Sequence, residues 1–135
     1  MRGQPSRPPH HDARELAAIF AGGMLGALAR VGLAQAFPHA PGAWPWTTLA
    51  ANLLGACLLG WAVTRLPPTS YRRPFLGIGV CGALTTFATL QLELLRMLDG
   101  GRWALALGYA VVSLAAGLAA VRLGVGLART RRARP

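Results

Sequence analysis

The sequence predicts an all-α membrane protein of four transmembrane helices, the third of them broken near its middle. Three observations carry that expectation. Of 135 residues, 53% are hydrophobic and only 13% are charged, with a mean hydropathy of +0.41; a soluble domain carries about 25% charged residues. The apolar residues gather into four runs, at about 16–37, 47–66, 74–97 and 103–123, each long enough to cross ~30 Å of hydrocarbon as a helix. The third run holds Gly82-Ala83-Leu84-Thr85-Thr86-Phe87-Ala88-Thr89-Leu90-Gln91-Leu92-Glu93, too many polar groups for a helix facing lipid. Threonine hydroxyls can satisfy freed carbonyls, so this segment can leave helical geometry where it is buried or lines a cavity.

Residues 1–14, rich in Pro, Arg and His, read as a disordered basic tail without a cleavable signal pattern. One transmembrane domain is expected over 15–128, followed by a basic tail over 129–135. In the first span Gly22 and Gly26 share a face and let another helix backbone approach closely. Arg30 lies late in that span, where snorkelling to the interface is the preferred reading over a pore role. Asp12 and Glu15 mark its N-terminal edge. Pro38, Pro41 and Pro45 then break the chain, and Trp44 and Trp46 suit the headgroup level.

Asn52 is the one strongly polar side chain of the second span, and two roles stand open for it. It either bonds a neighbouring helix or lines a pore. The connection from Arg65 to Arg73 is basic. Gly77, Gly79 and Gly82 loosen the third helix ahead of its threonines. Glu93 is the only carboxylate within a span; a place near the outer interface is preferred here to a role in orienting the helix. After the turn at 99–102, the fourth span carries Tyr109, Ser113 and Gly117 on one stripe, four residues apart.

Net charge is +10, from fourteen arginines and no lysine. They lie between and beyond the apolar runs and not along one soluble face, which argues against nucleic-acid binding. Eleven of the fourteen fall in the two tails, the 65–73 connection and the end of the fourth span. The positive-inside rule then places both termini in the cytoplasm of a plasma-membrane protein. Cys57 and Cys81 lack metal-type spacing and read as small packing residues. No Walker-type loop, catalytic constellation or zinc pattern is present, so an enzyme is not expected.

Three segments together resemble the CrcB/Fluc family of fluoride channels. They are Gly22-Gly23-Met24-Leu25-Gly26-Ala27-Leu28-Ala29-Arg30, then Thr48-Leu49-Ala50-Ala51-Asn52-Leu53-Leu54-Gly55, and Gly79-Val80-Cys81-Gly82-Ala83-Leu84-Thr85-Thr86-Phe87-Ala88-Thr89 with Glu93. The resemblance implies an antiparallel, dual-topology dimer with two narrow pathways that export fluoride passively. It implies a structural sodium ion on the backbone carbonyls of Gly82 and Thr85, and a pathway along Asn52, Phe87, Thr89, Tyr109 and Ser113. Gly22, Gly26, Arg30, Thr86 and Glu93 are left as helix-packing positions.

Hydroxyl and amide donors suit a small, strongly hydrated anion, and a phenylalanine edge carries partial positive charge. From the residues alone, Phe87 reads as ordinary packing. The chain also departs from the family pattern. Leu90 stands where the family has a second pore phenylalanine, Ala88 where serine is usual, and Gly117 where serine is frequent. With the fixed topology, these departures suggest a heterodimer with an oppositely oriented paralogue. Two other readings are a non-conducting accessory subunit and a small proton-coupled exporter, the latter disfavoured because no carboxylate sits mid-membrane on the right helix.

Overall fold

A computed structural model describes residues 12–130; most of the two expected tails, residues 1–11 and 131–135, lies outside the described residues. Four helices are long and apolar enough to span a membrane: Ala13–Ala36, Trp46–Arg65, Arg72–Asp99 and Trp103–Thr130. No strand occurs among the described residues.

Each helix starts and stops for a local reason. Asp12 caps the first helix, its carboxylate accepting from the Arg14 N–H at 3.0 Å, which satisfies one of the free donors of the first turn. Pro45 precedes the second helix, and the Leu49 N–H bonds its carbonyl. Gly101, at φ 69°, makes the left-handed step between the third and fourth helices. The fourth helix runs to Thr130, past the expected end near Leu123, because Gly124 and Ala128 are buried within the bundle.

The third span is composite. One α-turn, Arg72–Pro74, leads into a wider segment, Phe75–Cys81, with the i→i+5 pairing of a π-helix. Another α-turn, Gly82–Leu84, follows. Thr85 (φ −76°, ψ 150°) and Thr86 (φ −146°, ψ 114°) are extended, and a regular helix resumes over Phe87–Asp99. The third helix is thus broken at its threonine pair, as the polar content of the segment implies.

Packing pairs the first helix with the N-terminal arm of the third, and the second with the fourth. Both contacts depend on absent side chains. A Cβ on Gly22 would strike the Phe75 carbonyl and one on Gly26 the Val80 carbonyl, while one on Gly79 would sit 2.9 Å from Gly22 Cα. Across the second pair, Gly60 abuts the Val121 carbonyl and Gly124 the Cys57 carbonyl. Apolar attraction between helices is weak in lipid, so such backbone proximity carries the association.

Two contacts tie the connections at each end. Tyr71 OH donates to Asp12 Oδ2, joining the second connection to the start of the chain. The phenol and the Arg14 N–H hold the Asp12 carboxyl below its ordinary range, and the same bond holds the Tyr71 hydroxyl above its own. At the other end Arg102 Nη1 donates to the Gly42 carbonyl at 2.7 Å. A small core of Leu49, Met97, Ala106 and Tyr109, flanked by Trp44 and Leu90, lies beneath that end.

Candidate functional site

The break in the third helix is held by the second. Asn52 Oδ1 accepts from the Thr86 N–H at 2.8 Å, and its Nδ2 donates to the Thr86 carbonyl at 3.3 Å. Thr86 in turn caps the helix that follows: its Oγ1 accepts from the Thr89 N–H at 3.2 Å and donates to Thr89 Oγ1 at 2.9 Å. A continuous helix would send those two N–H groups to the carbonyls of Gly82 and Thr85. Both donors are diverted, so both carbonyls are released. Thr85 Oγ1 bonds back to the Cys81 carbonyl at 2.8 Å, which closes the upper arm.

Arg30 does not snorkel to the interface. It is half-buried, and its Nε donates to the Ala83 carbonyl at 3.0 Å. The reason is the break itself: helical pairing ends at Leu84, leaving carbonyls that a long guanidinium can reach. Beside it lies a cavity of about 230 Å³ whose polar lining comes from Arg30, Gln35, Thr47, Thr48, Thr86 and Thr89. Thr47, Thr48 and Thr86 already donate to the Phe37 carbonyl, Glu93 and Thr89, so the Arg30 guanidinium is the group that would draw an anion into this space.

Glu93 also departs from expectation. It is 5% exposed and hydrogen-bonded inside the bundle, as the helix-orienting role, the one not preferred, would have it. Its Oε1 accepts from Thr48 Oγ1 at 2.6 Å and lies 3.3 Å from His39 Nε2; its Oε2 accepts from Tyr109 OH at 3.0 Å. A buried carboxyl needs such partners to offset its lost hydration. Three elements therefore converge on it: the first loop, the second helix and the fourth helix.

Tyr109 is fully buried, its hydroxyl committed to Glu93 and its ring edge-on to Trp44 at 5.4 Å. One turn further along the stripe, Ser113 Oγ is buried with no hydrogen-bond partner among the described residues. Trp44 Nε1 is likewise buried without a partner there. Each unpaired group costs about 1–3 kcal/mol in a folded protein. Gly117 meets nothing within 4 Å.

Phe87 is 72% exposed, its ring directed away from the rest of the subunit, and Gly82 also lies on the outer surface. Leu90 packs against the core of Leu49, Met97, Ala106 and Tyr109. Thus Asn52, Thr86 and Thr89 meet at the break, and Tyr109, Ser113 and Glu93 meet at the fourth helix, while Phe87 stands apart from both groups. The sequence left His39 without a role, placed Trp44 at the headgroup level and gave Thr48 no partner. Thr47-Thr48 at a span start was a signal for polar work; nothing around His39 gave one.

These features define a class: a four-span membrane protein whose third helix opens at mid-span beside a row of hydroxyls and amides. The chain belongs to the CrcB family. The family model described as "CrcB-like protein, Camphor Resistance (CrcB)" matches residues 17–125, which takes in all four helices. Similar proteins include Fluoride-specific ion channel FluC 1 of Mycobacterium bovis, 54% identical over 110 residues, covering 78% of this chain and 83% of that one. FluC 1 of Mycolicibacterium paratuberculosis is 53% identical over 108 residues, covering 77% and 82%. FluC 2 of Nocardia farcinica is 40% identical over 114 residues, covering 78% of each chain.

Proposed function

We propose that this chain is a subunit of a passive, fluoride-specific channel that lets the anion leave the cytoplasm. The observation that carries the reading is the 54% identity to a fluoride channel over 110 residues, 78% of this chain. The site supports it physically. Donors without competing acceptors, such as Ser113 Oγ and Trp44 Nε1, are what a dehydrating anion needs. The Arg30 guanidinium, which lines the cavity beside the break, draws anions toward it.

A second subunit completes the channel. The exposure of Phe87 supports this, because its ring edge can meet an ion in a closed pathway only if another chain covers it. Gly82, an exposed residue whose carbonyl the break releases, fits a sodium ion shared between two subunits, with Thr85 as the second carbonyl donor. Bound there, sodium would neutralise the two carbonyl dipoles and hold the subunits together.

Leu90, Ala88 and Gly117 remove groups that the family pattern supplies, and a paralogue in the opposite orientation would restore them on its own side. The arginine bias supports cytoplasmic termini for this subunit, and the Tyr71–Asp12 bond supports placing the basic connection at the same end. The test is fluoride efflux from liposomes holding the chain alone, then the chain with a co-encoded paralogue. Efflux from either preparation supports the channel reading, and the one that conducts identifies the assembly. Efflux from neither, with both proteins folded, refutes a conducting role and leaves an accessory subunit.

A further inference from the structure

The first loop, between the first and second helices, brings to Glu93 a group that the hydroxyl row does not explain. His39 Nε2 lies 3.3 Å from Glu93 Oε1, the oxygen that also accepts from Thr48. The His39 side chain is 29% exposed and Glu93 only 5%, so the imidazole bridges water and the buried carboxylate. The loop is held in place along its length. Thr47 Oγ1 donates to the Phe37 carbonyl at 2.6 Å, Arg102 donates to the Gly42 carbonyl, and Trp44 packs edge-on to Tyr109. His39 therefore occupies a set position over Glu93 and does not swing free. The same loop supplies Trp44 Nε1, buried without a partner beside Tyr109.

An anion moving along the Tyr109–Ser113 row from this end must pass Glu93. An ionised carboxylate repels it, and in a partly buried setting one unit charge strongly alters local anion concentration. Resting on the channel reading above, we propose that His39 sets the charge at this mouth of the fluoride pathway. A protonated imidazole cancels the Glu93 charge and offers N–H donors to the arriving anion; a neutral one leaves the carboxylate exposed to it.

Other groups facing His39 do not substitute for it. Thr48 and Tyr109 only donate neutral hydroxyls to Glu93. The Arg102 guanidinium is committed to the Gly42 carbonyl. His39 is thus the one imidazole of the cluster, and the group there that can gain or lose a proton beside Glu93.

The experiment measures fluoride efflux from liposomes holding the conducting assembly, at about pH 8 and about pH 5.5, with protein-free vesicles subtracted at each pH. Wild-type flux should rise roughly three- to tenfold on acidification. His39→Gln, which keeps a donor but cannot charge, should give a flat profile at the high-pH level, and His39→Arg a flat profile at the low-pH level. A wild-type profile that is already flat, or a His39→Gln variant that keeps the rise, overturns the proposal while leaving the channel intact. Absence of any wild-type efflux removes the channel reading, and the inference with it.

Discussion

Replacing Asn52 with alanine separates holding the break from lining a pathway. In the structure its amide satisfies both the N–H and the carbonyl of Thr86, at 2.8 and 3.3 Å. Alanine removes both partners and leaves a half-buried N–H with no acceptor in the second helix. The longer bond contributes little; the shorter, together with the stranded donor, is worth about 1–3 kcal/mol.

Asn52→Asp keeps the acceptor for the Thr86 N–H and loses the donor, so it should recover part of that stability. Thermal or denaturant unfolding of purified protein in detergent reads the order: wild type, then Asn52→Asp, then Asn52→Ala, lower by about 2 kcal/mol. Efflux should fall in both variants, further in alanine, because loosening the break displaces the Thr86–Thr89 cap. An Asn52→Ala protein of unchanged stability would refute the reasoning and leave the amide only a pathway role.

Three further outcomes follow from the same geometry. Ser113→Ala deletes a buried hydroxyl that has no partner among the described residues; stability should hold or rise by up to about 1 kcal/mol while efflux drops, and a clear loss of stability would count against a pathway role. Gly124→Val drives a side chain into the Cys57 carbonyl; size-exclusion chromatography should show loss of the folded species, a cost of several kcal/mol, and a well-behaved variant would refute the close crossing. Asp12→Asn tests the end contact: a carboxyl held below its ordinary range stabilises above the unfolded value and loses that contribution as pH falls through the folded one. The variant should melt below wild type at neutral pH and match it once the pH drops beneath the carboxylate range. A gap that persists there would point to packing and not to charge.

Much of this architecture is legible in the sequence. Four apolar runs fix the spans, and Gly22 and Gly26 announce a close helix contact through spacing alone. The break was legible because threonines and glycines crowd a segment that lipid would keep apolar. Arg30 and Glu93 were read toward the interface because chain distance from a span end is the only depth cue in a sequence. Their partners, the Ala83 carbonyl and the Thr48 and Tyr109 hydroxyls, are 53, 45 and 16 residues away, and no local pattern encodes such pairings. The partner of Phe87 is illegible for a further reason, since it belongs to another chain in the assembly proposed here.

The alternation of the helix pairs bears on how the chain is made. The first helix finds its glycine contacts on the third, and the second, besides Gly55 against Thr85, finds its largest contact on the fourth through Gly60 and Gly124. Neighbours in synthesis are therefore not the principal partners in the bundle. A nascent chain that has inserted two helices holds Gly22, Gly26 and Gly60 without the backbones they are cut to fit, and Asn52 without the peptide it clasps. The first pair can close only when the third span arrives, and the second only after translation reaches the last glycine-bearing turns near Gly124. Insertion and assembly are thus separated in time, and a chain truncated before Gly124 should persist in the bilayer as an incompletely clasped set of helices, a ready substrate for membrane proteases.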